Sequence, residues 1–391
     1  MKLTHVENKK IDLMKKNLIS LRHHLHKNPE LAMEEKNTSN LIAKKLEELG
    51  VKVYRNIGKT GLVGVLKSGN GNKSIALRAD MDALPIQEET NLEYQSINKG
   101  VMHACGHDGH MAMLFGAAEY LAKNKNFSGT VYFIFQPAEE AIGGAEAMIE
   151  NGLFKKFKID SIYGLHASSA LEAGYFSIHD GPVHASSSNF DLKIIGKDTH
   201  GAHPERGIDS ILVASEIVMS LQTIVSRRIS TLDTAVVSVT KFHGGTAYNI
   251  IPEEVTLNGT VRTHKNKVRD KIQIEMEKII KGICQSYGAN YDFKFRHGDR
   301  AVVNTKKESL QAISVAEKIW GKEKVLTEPR PIMGSEDFGF YLEKKPGCYA
   351  HLGNGPEKGV NHNSKFDFND EILMTGVKYW IQLTNDLLRQ G

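Results

Sequence analysis

The chain predicts an α/β fold in two parts, a layered domain split along the sequence and a compact insertion of βαββαβ, ferredoxin-like order. Three observations carry this. Short apolar runs bounded by glycine alternate with helical spacing from Lys52 onward, the rhythm changes between 186 and 298, and α/β character returns after 298. Residues 1–185 and 299–391 then form one discontinuous domain and 186–298 the insertion. A length of 391 residues, against roughly 100–200 for a typical domain, agrees with two units.

In order, Ile11, Leu13, Leu18, Leu21, Leu25 and then Leu41, Ile42, Leu46, Leu49 recur at helical spacing and predict two helices broken at Asn28-Pro29. VKVY, GLVGVL, SIALRAD, TVYFIFQP and DSIYGLH predict strands of a largely parallel sheet, with a helix over Met111–Leu121 between the third and fourth. The insertion reads strand (FDLKII), helix (Ile208–Val225), strands (TAVVSVTKF, EVTLNGTVRT), helix (Val268–Tyr287) and strand (YDFKFRH). A helix near Ser309–Trp320, a glycine-rich loop region and a final helix complete the chain. Neither repeats nor low-complexity tracts occur.

Composition excludes several classes. An apolar fraction of 40% and a charged fraction of 25% are those of an ordinary globular protein. The net charge of +4 comes without a basic block, so nucleic acid is not an expected partner. MKLTHVENKK holds no apolar core of signal length, and no stretch reaches about 18 uninterrupted apolar residues. The expectation is a soluble, cytoplasmic protein without a membrane partner. Three cysteines, Cys105, Cys284 and Cys348, are too few for a disulfide framework and leave ligand or nucleophile as roles.

Chemistry concentrates at predicted strand ends, where α/β sheets place ligands. MHACGHDGH (102–110) sets Cys105 and His107 one residue apart around Gly106, good donors for a borderline-soft divalent ion. The same run also reads as a polar helix entry with Asp108 as N-cap. QPAEE ends a strand on Glu139 and Glu140, which can divide coordination and proton transfer, or else open the next helix as a solvated pair. His166 ends another strand, and His362 lies in the late loop VNHNSKFDF. Asp80 and Asp82 share one side of an extended segment, where a carboxylate can hold a histidine tautomer. GSEDFGFY offers Glu336 and Asp337, or a cap at Ser335.

These residues, with RHHLHKNPELAMEE, RADMDALPI, FIFQPAEE, YGLH and GGTAYNIIPEEVTLNGTVRT, resemble in order the signature blocks of bacterial N-acyl-amino-acid amidohydrolases. That group includes hippurate hydrolases, is similar to plant indole-acetyl-amino-acid hydrolases and is more distantly related to carboxypeptidase G. The resemblance implies a zinc-peptidase-like α/β/α catalytic domain with an inserted domain that serves as lid and dimerisation surface. It implies two divalent ions per subunit, Mn2+ or Zn2+ with Co2+ or Ni2+ able to substitute, held by Cys105, His107, Glu140, His166 and His362, with Cys105 bridging. Glu139 would be the general base and Asp82 the carboxylate behind the ligands. More distant relatives carry a histidine where this chain has Asp80 and a carboxylate bridge in place of Cys105; His107 would supply the imidazole.

In the insertion the resemblance points to His200, in GKDTHGAHPERG, as an oxyanion donor that reaches a partner subunit, with His203 a nearby competitor. Asn249 and Arg262 would hold the substrate carboxylate. The implied reaction is hydrolysis of an N-acyl-L-amino acid, with acetyl, benzoyl or a similar acyl group, by a homodimer. Two other readings use the same residues. One is a metallo-dipeptidase or aminopeptidase, and the other a ligand-binding relative without metal. A cysteine-nucleophile hydrolase built on Cys105 is a third, and sensitivity to chelators would tell against it.

Overall fold

The computed structural model describes residues 2–140 and 143–389, which form two compact units. The larger comprises the chain up to Gly181, Val303–Arg330 and everything from Phe340 on; the smaller comprises Pro182–Val302 and Pro331–Gly339. The smaller unit therefore gathers a second segment beyond the expected 186–298. Pairing explains it: His184 bridges Ile332, Ala185 N–H donates to the Gly334 carbonyl, and His264 Nε2 bonds the Ile332 carbonyl at 3.0 Å.

In the larger unit eight strands form one sheet in the order Lys52–Arg55, Leu62–Ser68, Gly129–Gln136, Ser74–Asp80, Ser161–Ser168, Gly347–Gly353, Phe176–Ser177, Val325–Leu326. The four central strands run parallel, whereas antiparallel pairs occur towards both edges. Ser74–Asp80 is buried at every position, the mark of a strand covered on both faces. The parallel register aligns Asp80 with Gln136 and His166 with His351, so several strands end together.

The helix His107–Lys123 is apolar nearly all round and almost wholly buried, as such a helix must be. It passes so close to its neighbours that a Cβ on Gly116 would lie 2.7 Å from Leu18 and 2.9 Å from Val377. Its N-cap is Gly106, left-handed and without a side-chain bond, so Asp108 does not cap it as local sequence allows. Asp108 instead turns inward and accepts from Arg22 Nε and His26 Nδ1, both at 2.8 Å. The N-terminal region holds three helices, His5–Asp12, Lys15–Lys27 and Lys36–Glu48, rather than two, because the chain breaks at Leu13-Met14 as well as after Asn28.

Burial alone would lower the His26 imidazole, but Asp108 and Glu88 outweigh it and raise it from 6.5 to about 9. A raised folded value contributes stability that is complete below about pH 6.5 and disappears as pH climbs through 9. The stability gap between wild type and His26→Gln should therefore shrink by up to about 3 kcal/mol between pH 6 and pH 9.5. Urea midpoints at the two pH values measure it.

In the smaller unit four antiparallel strands stand in the order Ala235–Gly244, Glu254–Thr263, Ser186–Ile195, Asn290–His297, the ferredoxin-like arrangement. Glu254–Thr263 alternates buried and half-buried positions, and its inward Val255, Leu257 and Val261 meet Phe190, Leu192 and Ile194. Gly259 is required there, since a Cβ would lie 2.3 Å from the Phe190 ring. The helix Ser210–Thr223 buries Val213, Ala214, Ile217 and Leu221 in this core and leaves Leu212 and Met219 exposed. With its extension to Arg228 it is long and apolar enough to cross a membrane by length and composition, a property it shares with core helices.

Candidate metal centre

The site is built at the carboxyl ends of the central strands, from short loops that leave them. Asp80 ends its strand and Asp82 follows two residues on; both face His107. His107 Nδ1–H donates to the Asp82 carbonyl at 2.8 Å and lies 3.3 Å from Asp82 Oδ1. That fixes the tautomer and aims Nε2 inward. His166 is treated alike: Nδ1 bonds the Ala167 carbonyl at 2.7 Å, and Nε2 stands 3.4 Å from Cys105 Sγ.

Glu140 arrives from the turn after Gly129–Gln136. Its N–H donates to Asp82 Oδ2 at 2.9 Å, while its Oε1 lies 3.0 Å from His362 Nε2 and 3.8 Å from His107 Nε2. His362 sits at φ 64°, held by a bond from its N–H to the Ala104 carbonyl. Donor atoms of Cys105, Glu140 and His362 lie within 4.8 Å of one another, and so do those of His107, Glu139 and Glu140. All five expected ligands and Glu139 thus meet in the larger unit. The pair does not open a helix, since the next one starts at Gly144.

These residues fit divalent ions. His107 Nε2 is buried with no hydrogen-bond partner among the described residues, although two carboxylates stand within 3.8 Å of it. Burial alone would lower His107, but Asp80, Asp82 and Glu140 outweigh it and push it up to about 10. The Cys105 thiol is pushed well above its ordinary value by burial and then by Glu140 and Glu139. His166 is held well below its ordinary value by burial and by His110, so it is a neutral, ready donor. Carboxylates, a thiol and the neutral His166 are gathered here out of water, and a divalent cation can take the place of the proton that Asp80, Asp82 and Glu140 draw onto His107.

Several partners have no local signal in the sequence. His110 lies within reach of the ligands, but its Nε2 accepts from Ala167 N–H at 2.8 Å, so its protonated Nδ1 donates to Asp80 Oδ1 at 2.6 Å. Asp80 Oδ2 accepts from Arg78 at 2.8 Å. Burial would raise Asp80, but His107, His110 and Arg78 hold it well below the usual range. Both of its oxygens are engaged, so Asp80 braces the site. Asn361 Oδ1 accepts from Ser169 Oγ at 2.7 Å, which turns Nδ2 towards Cys105 Sγ at 3.6 Å and ties the His362 loop to the thiol.

His200, Asn249 and Arg262 belong to the smaller unit. The ribbon Thr199–His200 pairs with Ile250–Ile251, and Gly201 N–H donates to the Asn249 carbonyl at 2.8 Å, so His200 and Asn249 are neighbours and exposed. Arg262 is not with them. Eight residue steps along the strand, about 26 Å at ~3.3 Å each, separate it from Glu254, near which the ribbon departs. Its Nη1 donates to Thr260 Oγ1 at 2.6 Å. His203 is exposed, and Glu336 accepts from Phe338 N–H at 3.0 Å.

The model of peptidase family M20/M25/M40 matches residues 76–386. The chain is 43% identical to the hippurate hydrolase of Campylobacter jejuni, over 94% of this chain and 96% of that protein. It is 40% identical to thermostable carboxypeptidase 1 of Saccharolobus solfataricus, over 92% of each. Among solved structures, Bacillus subtilis YxeP, described as a dinuclear metal-binding peptidase of family M20, superposes with a TM-score of 0.84 at 34% identity, covering 96% of this chain and 99% of that one. The chain belongs to peptidase family M20/M25/M40 and is a hydrolase of amide bonds.

Proposed function

We propose that the protein hydrolyses N-acyl-L-amino acids to a carboxylate and a free amino acid, with two divalent ions held by Cys105, His107, Glu140, His166 and His362. The observation that carries this reading is the convergence of Cys105, Glu140 and His362 donors beside the His107, Glu139 and Glu140 group, with His107 Nε2 left unpaired among the described residues. The hippurate hydrolase and carboxypeptidase relatives suggest a substrate with a free α-carboxylate next to the scissile amide. Mn2+ and Zn2+ are the proposed ions; thiolate ligation favours zinc on softness.

When bound, the ions supply Lewis acidity towards the acyl carbonyl and acidify water. Glu139 takes the proton as the water oxygen bonds to the acyl carbon, and returns it to nitrogen as the C–N bond breaks. Asp82 keeps His107 in one tautomer and holds the Glu140 backbone. His200 donates to the developing oxyanion, and Asn249 and Arg262 receive the α-carboxylate and its surroundings.

The separation of Arg262, near the far end of its strand, from His200 and Asn249, at the ribbon beyond the strand's start, supports a homodimer in which His200 and Asn249 serve the partner subunit's site. The exposed edge strand Ala235–Gly244 and the exposed Leu212 and Met219 are the surfaces offered for that contact. We place the protein in the cytoplasm.

The test is a panel of N-acetyl and N-benzoyl amino acids beside dipeptides with free amino termini, after chelation and reloading with zinc, manganese, cobalt or nickel. N-acyl substrates should be cleaved at least about tenfold faster than dipeptides, and chelation should abolish both activities. Faster cleavage of dipeptides would replace this reading by a dipeptidase or aminopeptidase.

A further inference from the structure

The turn between Gln136 and Glu140 is held from outside the metal centre. Ala138 adopts φ 51°, a left-handed conformation that is unfavourable for a residue with a Cβ. Its N–H donates at 2.9 Å to Oε1 of Glu35, a residue with no accessible surface. The same oxygen accepts from Met33 N–H at 3.0 Å, and the other carboxylate oxygen accepts from Thr60 Oγ1 at 2.5 Å. Two residues further, Glu140 N–H is bound by Asp82. Glu139 is thus bracketed by two buried carboxylates, each holding a backbone N–H on one side of it. Asp82 belongs to the ligand supports, whereas Glu35, at the entry of the helix Lys36–Glu48, spends its bonds on Met33, Thr60 and Ala138 and on none of the ligands.

We propose that Glu35 is a positioning residue for the hydrolysis, holding Ala138 left-handed and thereby directing the Glu139 side chain. A buried carboxyl kept among three donors agrees with this role, because an acceptor of fixed place is what a strained backbone N–H requires. Burial, and then the neighbouring Asp82, raises the Glu35 carboxyl above its ordinary value. A neutral amide in its place keeps both N–H bonds on its oxygen, while its NH2 donates to the Thr60 hydroxyl instead of accepting from it, so the place of that oxygen rather than its charge is the property that matters.

The inference rests on Glu139 being the base, and the experiment separates the two. In metal-loaded enzyme, Glu35→Asp withdraws the carboxylate by one methylene, and Glu35→Gln retains its reach and an acceptor. Glu35→Asp should lower kcat about 10–100-fold, the scale of an ångström-sized misplacement, with KM changed less than about threefold and metal content unaltered. Glu35→Gln should stay within about threefold of wild type. Glycine takes the left-handed conformation freely, so in an Ala138→Gly background the Glu35→Asp loss should fall below about threefold.

Wild-type kcat in Glu35→Asp, or an equal loss with and without Ala138→Gly, overturns the proposal. Should Glu35→Asp not fold, Thr60→Val, which frees the other carboxylate oxygen, is read in the same way: a kcat loss with KM retained supports the role, and unchanged kcat overturns it. If Glu139→Gln is fully active, the base assignment fails instead, whatever Glu35→Asp does.

Discussion

Glu139→Gln should lower kcat by about 10³-fold on a preferred N-acyl amino acid while retaining both metals and leaving KM within a few-fold of wild type. Positioned general acid–base groups contribute roughly 10²–10⁴-fold, and here one carboxylate is asked both to accept and to return a proton. Glutamine keeps the shape of the side chain and loses its basicity. Glu140, one residue away, cannot take over, because its N–H is bound by Asp82 and its carboxylate faces His362 and His107. Metal content by elemental analysis beside initial rates separates loss of chemistry from loss of ligation. A variant that keeps a tenth or more of wild-type kcat would remove Glu139 from the mechanism.

Arg22→Met should cost about 3–5 kcal/mol of folding stability, the range for stripping one partner from a buried charge cluster. The guanidinium has no accessible side-chain surface, bonds Asp108 at 2.8 Å and Asp367, lies 3.5 Å from Asp370, and stacks over Tyr94 at 4.7 Å. Burial would lower its protonation, but Asp108, Asp367 and Asp370 more than reverse that. Methionine fills similar volume and leaves Asp108, itself fully buried, with His26 as its remaining side-chain hydrogen-bond partner among the described residues. Urea unfolding followed by tryptophan fluorescence reads the loss through Trp320 and Trp380, both in the larger unit. Asp108→Asn in the same chain should return part of it, since the unpaired buried charge is then gone. A loss below about 1 kcal/mol would show that the cluster is solvated or rearranges freely.

The effect should also reach the metal centre. Asp108 follows His107 directly, so a shift of this helix entry moves a ligand.

Periodicity in the sequence was sufficient for the split α/β domain and the βαββαβ insertion, because strand and helix periods are local and the insertion's two long helices are strongly amphipathic or apolar. Residue type was sufficient to single out candidate ligands: a thiol, a carboxylate and imidazoles following apolar runs have few other uses, and the donor atoms of Cys105, Glu140 and His362, of His107 and Glu140, and of His107 and His166 do come together. Their ambiguity was also local. The run around Cys105 read equally as a helix cap, and only the inward turn of Asp108 onto Arg22 resolved it.

What tertiary structure alone decided depends on pairings between distant residues, since the sheet order does not follow the chain. Asp82 bonds Glu140 across 58 positions, Glu35 bonds Ala138 across 103, and Asn361 meets Cys105 across 256. No periodicity encodes such bonds, because each is set by where strand ends fall after the sheet has assembled. The same holds for which imidazole nitrogen faces the site, chosen by the carbonyls of Asp82 and Ala167, and for the distance that parts Arg262 from Asn249. Sequence thus determined which groups could bind and react; the assembled sheet determined their aim, because orientation is the sum of contacts that local sequence does not contain.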